Sequence, residues 1–360
     1  MVQKKRRCKH KMIVEFEAQA DAEILEDESI YSGSIASPMG TSDMVTIGSN
    51  FIEFAFERSK WLPQDKVAEN RVRNDQFQAA MLYIHTQVAM VPKISKIVLI
   101  EEKRKPLNVT LPAPMRNSYC GKTRVGLSPR SAQLILGQSE KSKAIKIALS
   151  YICASDAASD SQSRFRYLWT SFNALAIYLV KRDRPSDIPS TRKVQDDQAL
   201  EKAADHLLCC CDTHALLDRY ERLGGFGFFS KLDLYTFLVN AKNCKGNMSG
   251  YLQKMIPKLD INAYQKLDEV CRAAKIEFGK NEKGKELSHF RPACEDSLER
   301  QAVFVVCAYL YGMRNALFHG SAMHPIYSTR KGTDLHGLCD LLEEACVTII
   351  ESLASGVAEA

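Results

Sequence analysis

Two different periodicities divide the chain. In its first third, Met12 to Ala20 and Phe51 to Phe56 alternate apolar and polar residues, and Ile94 to Ile100 is rich in β-branched side chains, as half-buried strands are. Between them Phe77, Met81, Ile84 and Val88 recur at helical spacing within Asn74 to Met90. These segments predict a small α+β domain over residues 11–127, preceded by a basic tail over residues 1–10. From Ser128 the period becomes helical throughout. Ser128 is suited to cap a helix and Pro129 to occupy its first position. Ala144 to Cys153 is a second helical segment, and Ser155 to Ser163 is a polar break. Residues 128–360 therefore predict a helical domain, and the chain as a whole an α+β protein.

Arg164 to Arg182 is the clearest amphipathic segment. Phe165, Leu168, Trp169, Phe172, Leu175, Ala176 and Leu179 form one wide apolar face. Asn173 lies one turn from Trp169 at the margin of that face, either as a satisfied core amide or as a polar support for a site. Arg184 to Lys193, with its two prolines, reads as a loop. Gln195 to Leu223 reads as one further helix, and Gly224 to Gly227 as a turn. Short helices are expected at Leu232 to Asn240 and Asn262 to Lys275, and a solvated insertion at Gly279 to Glu286. Asp334 to Leu353 closes the domain, with Leu338, Leu341, Leu342, Ala345, Ile349 and Ile350 facing inward.

The segment Gln301 to Gly320 carries the chemistry. Val303, Val306, Cys307, Leu310 and Leu317 define a face for burial, and Arg314 falls about 40° from Leu310, where its cation needs partners. Asn315 and His319 are one turn apart, and Gly320 suits a left-handed helix cap. His319 then sits on the last turn, where free carbonyls and the helix dipole favour an imidazolium. Arg314 and His319 are about 140° apart on a regular helix. They address one substrate only if the helix end distorts or a second subunit supplies another set.

Arg314-Asn315-Ala316-Leu317-Phe318-His319 resembles the R-x4-6-H motif of the HEPN superfamily, including the polar residue after the arginine. Tyr167 to Leu175 is similar to the opening core helix of several HEPN families, and the resemblance spans roughly residues 143–359. It implies an all-α bundle in which Arg164 to Arg182 packs beside the motif helix. It also implies a metal-independent endoribonuclease without a cofactor, working as a homodimer whose two motifs face one cleft. RNA carries its own nucleophile, the 2′-hydroxyl, so cleavage needs a proton taken, a phosphorane charge held and a leaving oxygen protonated. In that scheme Arg314 binds phosphate, Asn315 orients and His319 does the proton work, with Asn173 in support. The resemblance further implies a toxin or antiviral-defence effector in the cytoplasm, with an antitoxin or other regulatory partner. The alternative it leaves open is a non-catalytic RNA-binding or protein-interaction module.

Composition changes this picture little. A net charge of +6 over 360 residues suits an anionic partner only mildly, and it is concentrated in Lys4 to Lys11. No apolar run is long enough for a membrane span, and the amino terminus lacks the apolar segment of a secretory signal. Of the 12 cysteines, Cys307, Cys339 and Cys346 fall inside apolar helical patterns and read as small core residues in a reducing compartment. Three apparent motifs carry little. Gly121-Lys122-Thr123 lacks the first glycine of a phosphate loop. Gly33-Ser34 with Asp43 lacks the paired aspartates of a nucleotidyltransferase. His206, Cys210 and His214 would stack on a continuous helix but have no fourth metal ligand, so no metal is expected.

Overall fold

Alternation of side chains across a strand explains the first part of the computed structural model, which describes residues 8–16, 29–36, 42–48, 50–58, 71–87, 94–102, 104–109, 126–183, 194–229, 297–318 and 329–355. The chain forms two compact units, Met1–Ala157 and Ala158–Ala360. In the first unit β1 (Cys8–Phe16), β2 (Ser29–Ala36), β3 (Ser42–Gly48), β4 (Phe51–Arg58), β5 (Ile94–Glu101) and β6 (Leu107–Val109) make an antiparallel sheet in the order β2-β3-β4-β1-β5-β6. Met12 on β1 sits opposite Phe54 on β4 and Leu99 on β5, so the three share one buried face with Val14, Ile52 and Phe16. Helix α1 (Arg71–Gln87) is tied to the sheet by the Tyr31–Tyr83 ring contact at 5.3 Å and by Gln76 Nε2 donating to Asp43 Oδ2 at 2.9 Å. Asp43 is thus a buried structural carboxylate.

The sequence boundaries of this unit need three corrections. Strand β1 begins at Cys8, so the expected tail over residues 1–10 is too long: Lys9 and His10 lie in the strand. His10 is buried because its ring stacks on Phe56 at 5.2 Å and its Nδ1 lies 3.3 Å from Glu101. Strands β2 and β3 were not expected. Their Ser- and Gly-containing sequences, SIYSGSIA and SDMVTIG, carry few apolar residues apart from the inward Ile35, Val45 and Ile47. Finally, α2 (Pro129–Leu134) and α3 (Glu140–Asp156) belong to the first unit, so it ends at Ala157 and not at residue 127. The Ala36 amide donates to Leu136 O at 3.0 Å, Gln138 Nε2 donates to Asp75 Oδ2 at 3.0 Å, and His85 Nε2 lies 3.7 Å from Asp156. The helix start at Ser128 is as expected: its side chain accepts from the Ser131 amide, with Pro129 next.

The described second unit is helical: α4 (Ser161–Arg182), α5 (Asp196–Cys210), α6 (His214–Arg222), α7 (Gly225–Phe229), α8 (Leu298–Phe304), a π-helical turn (Val305–Tyr309), α9 (Leu310–Phe318) and α10 (Thr329–Ser355). Helix α4 starts three residues earlier than its apolar face suggests, because Asp160 Oδ1 accepts from the Gln162 and Ser163 amides at 2.9 Å each. All seven apolar residues of its predicted face are buried, and Phe165 and Phe172 are fully so, each contributing about 1.5–3 kcal/mol.

The main partner of α4 is not the motif helix but α10, followed by α5. Arg164 locks α4 to α10 through Asp340 at 2.7 Å and Glu343 at 2.8 Å. Residues 301–308 are buried all around, with α5, α6, α7 and α10 as neighbours, and Tyr220 Oη donates to Gln301 Oε1 at 3.1 Å. Cys307, Cys339 and Cys346 are buried as expected, and burial raises all three thiols, Cys339 and Cys346 to about 12.

The expected helix over 195–223 is two helices. Cys211 is extended at φ −101° and ψ 147°, which separates α5 from α6. The turn expected over Gly224 to Gly227 is shorter: Gly224, at φ +108°, turns the chain, and Gly225, at φ +48°, already opens α7. The segments expected at 184–193, 232–240, 262–275 and 279–286 lie outside the described residues, as does the loop at 121–123.

Candidate functional site

The motif helix is not regular. A π turn accommodates one extra residue, which rotates everything downstream by about 100° relative to an unbroken helix. The apolar run Ala302 to Ala308, which takes in most of that turn, allows this, because every side of the helix is buried there. After the turn, α9 emerges from the core: Leu310 is fully buried, residues 312–315 are half-buried and Phe318 is exposed.

Arg314 therefore stands at the margin of the core. Its Nη1 donates to Asn315 Oδ1 at 2.7 Å, and its guanidinium lies 5.1 Å from the centre of the Phe318 ring. Its Nε is buried without a hydrogen-bond partner among the described residues, and no described carboxylate pairs with it. A desolvated, unmatched donor costs about 1–3 kcal/mol. Asn315 is the hub of this end of the helix, since it also hydrogen-bonds the Tyr311 hydroxyl. Burial raises the Tyr311 phenol, and the Asp196 and Asp197 charges add to the rise, while that bond and the Arg314 charge oppose it. Tyr311 in turn stacks on Trp169 of α4, with ring centres 6.1 Å apart.

Of the four residues singled out from sequence, Arg314 and Asn315 are joined directly. Asn173 is half-buried on α4 and is not bonded to Arg314, whose described hydrogen-bond partner is Asn315. His319 lies outside the described residues. Two residues given no role in the sequence reading belong here. Phe318 was only a spacer in the motif, and Arg166 of α4 has its guanidinium 5.4 Å from the same ring. A basic residue on the polar face of an amphipathic helix gives no sequence signal of such convergence.

The alternative metal cluster does not assemble. His206 ends in a hydrogen bond with Ser352 Oγ at 3.1 Å, and His214 opens a different helix. Among the described residues no three His, Cys, Asp or Glu side chains are grouped to hold a metal ion, and no helix is long and apolar enough to cross a membrane. No family model, curated protein or solved structure matches this chain.

Proposed function

We propose that the chain is an endoribonuclease of HEPN type, cleaving RNA by attack of the 2′-hydroxyl on the adjacent phosphate, as a homodimer and without a metal. The observation that carries this reading is Arg314: a half-buried guanidinium, oriented by Asn315 and Phe318, with a buried donor and no described carboxylate at ion-pair distance. An arginine so placed suits a phosphate, which offers several acceptors and negative charge together. The resemblance of residues 314–319 to the R-x4-6-H motif adds His319 as the proton-transfer group and a second subunit as the source of the second motif. A growth-arresting effector of toxin–antitoxin or antiviral systems in the cytoplasm is the setting this implies, with an antitoxin or regulatory partner.

The test is cleavage of a defined RNA in EDTA, with analysis of the product ends. Cleavage leaving a 2′,3′-cyclic phosphate, abolished by one 2′-deoxy nucleotide at the scissile step, is the expected result. His319→Ala should lower the rate by about 10²–10⁴ while RNA binding persists. Normal cutting of the 2′-deoxy substrate would assign the attack to water or to the protein.

A further inference from the structure

Two arginines from different helices converge on one exposed aromatic ring. Arg166 of α4 and Arg314 of α9 lie 5.4 Å and 5.1 Å from the Phe318 ring centre, so their guanidinium carbons are at most 10.5 Å apart, the sum of the two distances. Like charges brought this close raise each other's energy unless an anion sits nearby. Elsewhere in the unit such anions are present: Arg164 has Asp340 and Glu343, and Arg182 and Lys202 share Asp183. Neither Arg166 nor Arg314 has a described carboxylate partner. Phe318 leaves 38% of a large aromatic residue exposed at the end of α9, beside both guanidiniums.

We infer that Arg166, Phe318 and Arg314 form a clamp for single-stranded RNA, in which the two guanidiniums hold backbone phosphates and Phe318 meets an unstacked base. This rests on the reading that Arg314 meets RNA, and it adds Arg166 and Phe318 as binding residues outside the motif. The charge complementarity selects a polyanion. The exposed ring selects a single strand, because in a duplex the base faces are already stacked and have none to offer. Arginine beside an aromatic side chain is the combination that grips a strand without reading its sequence.

Binding of a 2′-O-methyl RNA oligonucleotide, which lacks the attacking hydroxyl, and of its duplex tests this by fluorescence anisotropy over a salt series on the full chain. Arg166→Ala should weaken single-strand binding and lower the slope of log affinity against log salt by about 0.7, one phosphate contact. Phe318→Ala should weaken single-strand binding about fivefold or more with a smaller effect on duplex, and Phe318→Tyr should restore it. Thermal melts of each variant identify loss of fold, and the exposed Arg166 carries the test if Phe318→Ala does not fold. If Arg314→Ala weakens binding while Arg166→Ala changes neither affinity nor slope, the clamp is wrong and the ribonuclease reading survives. If the wild-type chain binds neither oligonucleotide, both are wrong.

Discussion

His206 gives the second unit a pH-dependent stability whose size follows from its surroundings. It is buried on α5, and its Nε2 lies 3.1 Å from Ser352 Oγ, whose own hydrogen goes to Cys210 O at 2.9 Å. The hydroxyl has one hydrogen, so Ser352 accepts from Nε2–H, and Nδ1 is left as a buried lone pair with no described partner. Protonation would create a buried donor without an acceptor, close to Arg182 and Lys202, with only Asp183 in compensation. Burial, reinforced by Arg182, accordingly lowers the imidazole from its ordinary 6.5 to about 4. Because the folded value lies below the unfolded one, the unfolded chain takes up the proton first as pH falls. Stability is therefore intact above about pH 6.5 and is lost progressively down to about pH 4, by about 3 kcal/mol in total. Urea unfolding of the wild type and of His206→Gln, which cannot titrate, should show the advantage of the wild type at pH 7.5 shrinking or reversing at pH 4.5. A difference between the two proteins that is equal at both pH values would refute the neutral, buried assignment.

Two further outcomes follow from local structure. Asp160→Ala removes the cap of α4, two amide bonds and a third to Ser163 Oγ at 2.7 Å, and should cost about 1–2 kcal/mol in urea unfolding, whereas Asp160→Asn should keep most of it. Brief alkylation at pH 8 followed by peptide mass mapping should modify the exposed Cys209 well before the buried Cys307, Cys339 and Cys346, whose thiols burial holds protonated; equal labelling would contradict the packed core around α10.

What could be read from the sequence was mostly what depends on local chemistry. Ser128-Pro129 starts a helix because its capping oxygen and fixed φ are properties of those residues alone. The apolar face of α4 is legible because it is wide and unbroken. Strands β2 and β3 were hidden because a strand needs only alternate inward residues, and there Ser32, Ser34, Ser42 and Thr46 fill outward positions while Gly33 and Gly48 interrupt the inward face. The division of the chain at Ala157 was also hidden. Ile145, Leu149 and Ile152 announce that α3 buries a face but not which core receives it. The π turn left no trace, since a stretch buried on every side is compatible with more than one helical period.

The same limit applies to the candidate site, and three arginines show it. Arg164, Arg166 and Arg314 are each a cation on a helix with a large apolar share, and sequence distinguishes them only by how badly each disrupts a face. Arg314 stands out by that measure, Arg166 lies on a polar face and draws no notice, and Arg164 begins a helix like many others. Their partners reverse part of this ranking. Arg164 is neutralised by two carboxylates, which hold it near α10 as a structural bolt. Arg166 and Arg314 share a ring and have no described carboxylate. A cation that the fold has already matched stabilises the fold, whereas one left unmatched beside an exposed aromatic surface is available to an anion from outside. The absence of a carboxylate is a three-dimensional fact, set by which face of α10 meets which end of α4, and that is why Arg166 enters the site only once the helices are in place.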